Sequence, residues 1–265
     1  MKRAICLMVI GEKYQIIYEK LRHQFDIYSN KCNADLIIVD RILDETYHRP
    51  ILTQKLLIPN ELIDFDEVLF MDLDIIISKN APNIFDEFPC GKHFGAVLDP
   101  RGTEEFNKTW GYIPRTLKET TESYFTDRDF QKNNKLLGSI NGGVFLFRPK
   151  MIAPIFKEYY FSSHNQGSLN SYEEAPMAYI TQTNDLFFAI NPLFNVQVLY
   201  KIKGTEEGNK ASFYGRGIPE IAFKTYKKIS GNATFPTKKY FNFIDKLIEN
   251  SYFVHFAGGY PFLKN

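Results

Sequence analysis

The chain has 265 residues, 44% hydrophobic and 24% charged, with a formal net charge of +1 at pH 7. That length can bury a substantial core in one large domain or two small ones, and so balanced a chain has no global field to recruit nucleic acid, which is not expected as a partner. Cys6, Cys32 and Cys90 show no C-x-x-C spacing and cannot all pair, which favours free thiols in a reducing compartment over a disulfide framework.

The amino terminus is basic at Lys2 and Arg3 and apolar over residues 4–10, too short for a signal peptide and without a small-residue cleavage site; a first strand is expected there. Gly11 leads into an amphipathic helix over 14–25 with Ile17, Leu21 and Phe25 on one face, and a second strand follows at 34–40. This β-α-β opening predicts a parallel sheet with a right-handed crossover. Residues 50–58 read as a helix.

Phe70-Met71-Asp72-Leu73-Asp74-Ile75-Ile76-Ile77 is the most informative stretch, for two carboxylates interrupt an apolar, strand-like run that begins at Val68. Strand alternation would turn Asp72 and Asp74 to one face and Leu73 to the other. Two ionised carboxylates facing together repel and are costly to desolvate, so they call for a cation, and Mg²⁺ or Mn²⁺ with oxygen ligands meets that need. At a strand end the same pair can simply meet water. The apolar flanks place it instead at the carboxyl edge of a central strand, where open α/β sheets bind ligands.

A further strand is expected at 93–98, and the polar stretch 99–136 reads as a lid or acceptor-binding insertion. Over 138–149 a polar turn with Asn141, Gly142 and Gly143 feeds an apolar strand; such glycines permit a bulge or a close backbone approach to a ligand. Residues 151–161 look helical, Glu173 and Glu174 precede a helix ending at 183, and 187–198 supplies a strand and turn. The tracts 222–228 and 237–241 interleave cations with rings, a pattern that can bind an anionic or sugar ligand but more often forms a solvated face with its rings inward. Near the end, His255 sits in an aromatic strand followed by Gly258 and Gly259. A lone histidine is usually a core residue, yet these glycines would let a pyrophosphate lie against backbone N–H groups while the imidazole completes a metal shell.

Taken in order, the opening strand with Gly11 and Tyr14, Thr53-Gln54-Lys55, Phe70-Met71-Asp72-Leu73-Asp74, Ile140-Asn141-Gly142-Gly143-Val144 and His255-Phe256-Ala257-Gly258 resemble the glycogenin-like, family 8 group of retaining glycosyltransferases. The resemblance runs over almost the whole chain. It implies an α/β GT-A fold: a Rossmann-like, mixed, mostly parallel sheet flanked by helices in a single domain, with a nucleotide-binding half over about 1–100 and an acceptor or sugar half over about 101–265. It implies a hexosyltransferase that uses a UDP-sugar, with Asp72, Asp74 and His255 holding Mn²⁺ or Mg²⁺ against the diphosphate. Lys55 and Leu73 would contact the donor, Val9, Gly11 and Tyr14 would cradle the base, and Asn141 with Gly142 would face the sugar. Gly258 and Lys264 would meet the diphosphate from the far terminus. Two departures stand out. Glu173-Glu174 occupies the place of the family's Asp-Gln pair beside the reacting carbon, and Pro261 stands where its final lysine belongs.

With Asn141, Glu173 and Glu174 as the candidates at the reacting carbon, the expected activity is metal-dependent hexose transfer to a glycan or protein hydroxyl with retention. Two other readings fit the same architecture. A sugar-phosphate nucleotidyltransferase would need a glycine-rich basic loop after the first strand, where Gly11-Glu12-Lys13-Tyr14 has one glycine; a non-catalytic carbohydrate-binding protein would need neither UDP nor metal. No stretch reaches the ~18 apolar residues that span a bilayer, so a cytoplasmic location is expected, with peripheral membrane contact and homodimer formation both left open.

Overall fold

The computed structural model describes residues 1–47, 49–101, 119–162, 172–212 and 220–263. Lys264 and residues 102–118 of the expected insertion therefore lie outside the described residues. In chain order the first elements are β1 (Arg3–Met8), α1 (Glu12–Cys32), β2 (Asp35–Val39), a 3₁₀ segment (Ile51–Leu57), α2 (Ile58–Glu61), β3 (Glu67–Met71) and β4 (Ile75–Ile77). Then come β5 (Phe94–Leu98), α3 (Thr121–Thr126), β6 (Ile140–Phe147), α4 (Pro149–Phe161), α5 (Glu174–Thr183), β7 (Phe187–Ala189) and β8 (Val196–Gln197). The carboxyl-terminal part holds α6 (Val198–Gly204), α7 (Glu206–Ala211), α8 (Glu220–Ser230), α9 (Lys238–Glu249) and β9 (Phe253–His255).

The fold is mixed α/β, with a mostly parallel central sheet flanked by helices. Its strand order is β2-β1-β3-β6-β5-β7; β1 runs parallel to β2 and β3, β5 parallel to β7, and β6 alone is reversed, antiparallel to both β3 and β5. A small second sheet, β4-β9-β8, pairs β4 with β9 antiparallel and β8 with β9 parallel.

Strand alternation divides the core between the two faces of the large sheet. Ala4, Cys6, Phe70, Phe145 and Phe147 lie on one face and pack with Phe94 and Phe156, the rings of Phe70 and Phe145 stacking at 4.7 Å. Ile5, Leu7, Leu69, Met71, Val144 and Leu146 lie on the other, against Leu21, Phe25 and Tyr28 of α1. A third cluster joins Tyr240, Phe243 and Ile244 of α9 to Val254 and Phe256. Among the described residues no helix is long and apolar enough to cross a membrane.

Three local expectations are corrected. The apolar run through Asp72 and Asp74 is not one strand, because β3 ends at Met71 and β4, in the other sheet, starts at Ile75; the D-x-D segment is the turn between the sheets. Asn141, Gly142 and Gly143 are not a turn but belong to β6, whose reversed direction brings its amino end to the edge where β3 finishes, with Val144 opposite Met71. The helix expected at 50–58 is mostly wound as 3₁₀, and Thr53, Gln54, Lys55, Leu56 and Leu57 are buried in succession. A segment enclosed on every side is shaped by its anchored side chains rather than by one amphipathic face.

Candidate active site

The parallel strands β1, β2 and β3 all finish at one edge of the large sheet, and Val9, Asp72 and the amino end of β6 with Asn141 and Gly142 lie at that edge. Leaving β3, the chain is held there by the N–H of Asp72, which donates to the carbonyl of Gly143 at 2.8 Å, and by the carbonyl of Asp74, which accepts from the N–H of Phe256 at 2.9 Å. The second bond continues the pairing of Ile75 with His255. This pairing is what carries a histidine from the far end of the chain to the acidic pair. Asp72, Asp74 and His255 each offer a ligand atom within 4.8 Å of the others, and Nε2 of His255 lies 3.2 Å from Oδ1 of Asp74.

Lys55 stands beside them, its ammonium 2.9 Å from Asp72 Oδ1, 3.1 Å from Glu173 Oε1 and 3.0 Å from the carbonyl of Gly142. Burial alone would discharge this lysine, but Asp72 and Glu173 outweigh it and hold the ammonium above the ordinary lysine range. Burial pushes Glu173 up to about 7, with Glu174 and Asp72 adding to the effect and Lys55 opposing it, and its Oε2 is buried without a hydrogen-bond partner. Partial burial works against a charged Asp74, yet the adjacent His255 imidazole holds it below the carboxylate range; the same pairing outweighs desolvation and raises His255.

Behind the acidic pair runs a connected polar network. Asn195 Oδ1 meets His255 Nδ1 at 2.9 Å, and Asn195 Nδ2 donates to Asn141 Oδ1 at 2.9 Å. Asn141 Nδ2 and the N–H of Gly142 donate to Glu174 Oε1, and Arg101 bridges Glu174 to Asp99 at 3.0 and 2.8 Å. Asp99 also accepts from Gln197 and Tyr200. Burial works against a charged Glu174, but Arg101 and the Gly142 N–H hold its carboxyl below the usual range. None of Asn195, Arg101, Gln197 and Tyr200 carries a local sequence signal. Asp99 does, for like Asp72 it is a carboxylate set directly after an apolar strand.

A cavity of about 1050 Å³ opens in front of Asp72, Leu73 and Asp74. Its walls come from Tyr14 and Ile17 of α1, Ile51, Leu52 and Lys55 of the 3₁₀ segment, the stretch around Gly231, Lys238 and Phe241, and the closing segment from Phe256 through Gly258 to Leu263. The basic, ring-rich tract expected as a solvated face thus contributes Lys238 and Phe241 to the cavity wall. Val9 does not line it, being buried in the core; its neighbours Met8 and Ile10 do. Gly11, at φ 89°, makes the turn from β1 into α1, a conformation that glycine adopts without strain. Gly258 and Gly259 make a second such turn, at φ 88° and 87°. Asn141, Glu173, Glu174 and His255 do not line the cavity, and Asn141 commits its amide to Gly143, Asn195 and Glu174.

No protein-family model matches the sequence, and no curated protein matches it. Among solved structures, the fold is similar to a glycosyltransferase involved in the glycosylation of the major capsid of PBCV-1, with 14% identity and a TM-score of 0.50 over 96% of this chain and 93% of that one. It is also similar to WbbM, a bifunctional glycosyltransferase in its apo structure, at 12% identity and a TM-score of 0.52, covering 98% of this chain but 46% of the other. At such identities the likeness is one of fold, and the fold it establishes is the GT-A architecture.

Proposed function

We propose that the chain is a metal-dependent glycosyltransferase that moves a hexose from a UDP-sugar to a glycan or protein hydroxyl with retention of configuration. One observation carries this reading: two carboxylates on the wall of a cavity large enough for a nucleotide sugar are met from behind by an imidazole remote from them in sequence. The donor set suits a hard divalent ion, since Asp72 and Asp74 supply oxygen ligands, are partly open to the cavity, and are joined by one nitrogen ligand. Once bound by Asp72, Asp74 and His255, Mn²⁺ or Mg²⁺ would supply Lewis-acid stabilisation of the charge on the departing diphosphate.

The chain's own residues do the rest. Lys55 fixes the carboxylate of Asp72 and braces Glu173, so the acidic pair is oriented before any donor arrives. Tyr14, Ile51 and Leu52 provide ring and apolar contacts for a base and ribose, while Lys13 and Lys238 bring cations to the cavity for phosphate oxygens. In this reading residues of about 1–100 hold the nucleotide and those of about 101–265 meet sugar and acceptor, although the closing segment also walls the nucleotide cavity. Glu173 and Glu174 lie beside Gly142 and behind the cavity wall, so in this reading their charge acts on the sugar's oxocarbenium character across that wall rather than by contact.

A screen of UDP-sugars for Mn²⁺-dependent UDP release tests the proposal, run beside isothermal titration with UDP and Mn²⁺. Release from at least one donor, lost on chelation, is the expected result. Pyrophosphate formation from a nucleoside triphosphate and a sugar phosphate would replace it with the nucleotidyltransferase reading, and glycan binding without UDP or Mn²⁺ binding would remove the enzyme reading altogether.

A Gly143→Ala variant adds a sharper check. A Cβ there would press into the His255 ring and come to 3.0 Å from Asn141 Oδ1. The expected outcome is an approximately tenfold or greater loss of Mn²⁺ affinity by electron paramagnetic resonance titration, accompanied by an overpacking cost of about 1–3 kcal/mol in a urea melt. Unchanged Mn²⁺ affinity would mean that His255 is not a ligand.

A further inference from the structure

We infer that Asn195 is a positioning residue that fixes which nitrogen of His255 faces the acidic pair. The inference rests on the reading of Asp72, Asp74 and His255 as the cation site and extends it to a residue that touches neither cavity nor cation. Hydrogen-bond polarity propagates here from a group whose role cannot change. The backbone N–H of Gly143 can only donate, and it donates to Asn141 Oδ1 at 3.1 Å. Asn141 must therefore present its carbonyl on that side, and its Nδ2 turns to Glu174 Oε1, an acceptor.

The Asn195 group facing the same carbonyl, 2.9 Å away, must then be its NH₂. Its remaining atom, Oδ1, is an acceptor at 2.9 Å from His255 Nδ1, which must carry a proton. Nε2 is left as the nitrogen able to turn a lone pair toward Asp74 and Asp72. Flipping Asn195 would set oxygen against oxygen at Asn141, and flipping Asn141 would set its NH₂ against the Gly143 N–H.

Burial makes this chain of choices binding. Asn195 is 4% exposed and His255 3%, so water cannot readily replace either partner. The backbone fixes the contact as well. Asn195 closes the 3₁₀ turn Pro192–Asn195, and the next two residues pair in register with Val254 and His255, while the N–H of Tyr252 donates to the carbonyl of Leu193 at 2.9 Å.

The test combines Mn²⁺ titration by electron paramagnetic resonance with ¹⁵N imidazole spectra of the full, metal-free chain at alkaline pH, where the ring is neutral. Wild-type protein is expected to show the His255 proton on Nδ1. Asn195→Leu is expected to bind Mn²⁺ about 10–100-fold more weakly, the usual effect of removing the partner that orients a ligating histidine. Asn195→Asp keeps an acceptor for the Nδ1 proton but sets its second oxygen against Asn141 Oδ1, so it should bind Mn²⁺ more weakly than wild type and clearly more tightly than Asn195→Leu. A wild-type spectrum with the proton on Nε2 overturns the inference even if neither variant folds. Mn²⁺ binding indifferent to Asn195→Leu sinks this inference alone, whereas a wild type that binds no Mn²⁺ sinks the cation site and the inference with it.

Discussion

An Asp72→Asn, Asp74→Asn double variant is expected to lose about 10³-fold or more in Mn²⁺-dependent release of UDP from its donor while remaining folded. Lewis-acid stabilisation of a leaving diphosphate is worth several kcal/mol, and each 1.36 kcal/mol is a factor of ten in rate. The fold should survive because asparagine matches aspartate in shape, the backbone bonds that hold the segment are untouched, and Lys55 keeps Glu173 as a partner. Initial rates of UDP release at saturating Mn²⁺, with circular dichroism as the control on folding, decide the matter. A folded variant as active as wild type would remove the acidic pair from the chemistry.

The largest effect on stability is expected from Lys55→Met. This ammonium is buried and is shared by Asp72, Glu173 and the carbonyl of Gly142. Removing one partner of a buried ion pair leaves uncompensated charge and typically costs about 3–5 kcal/mol. The loss should depend on pH. In the wild type Glu173 has its pKa raised to about 7, so the stability contributed by its bound proton is fully present below the ordinary carboxyl range and is lost as pH rises through about 7. Without Lys55 the folded-state value moves higher still, because the attraction that opposed burial is gone. The variant should accordingly lie closer to wild type at pH 5 than at pH 8 in urea melts, and an equal deficit at both values would show that Glu173 is not the group left stranded.

Much of the fold was legible locally. The 3.6-residue spacing of Ile17, Leu21 and Phe25 marks α1, which extends beyond the expected 14–25 to Glu12–Cys32, closed by Asn33 in the left-handed conformation. The apolar runs mark β1, β2, β3, β5 and β6 to within a few residues, because period and turn chemistry are properties of neighbouring residues. Reading Asp72 and Asp74 as two positions of one strand failed for an instructive reason. An apolar run looks the same whether it continues in one sheet or passes between two, and only the pairing of β4 with β9 distinguishes them.

The candidate site divides in the same way. Asp72, Asp74, Asn141 and His255 stood out because each places a polar group against an apolar strand or a glycine pair, and such groups demand partners. Asn195 and Arg101 gave no comparable signal, and the tract with Lys238 and Phe241 pointed more to a solvated face than to a cavity wall, since their environments are created by segments remote in sequence.

The sequence by itself determined the opening β-α-β unit, the strand edges and the presence of an acidic pair in need of a cation, all of which follow from short-range periodicity and the cost of burying charge. Only the tertiary structure decided that β6 runs backwards through the sheet, that His255 comes to rest beside Asp74, and that Lys55 is the cation between Asp72 and Glu173. Strand order and register are set by how distant apolar faces pack together, and that energy has no signature in any short window of the chain.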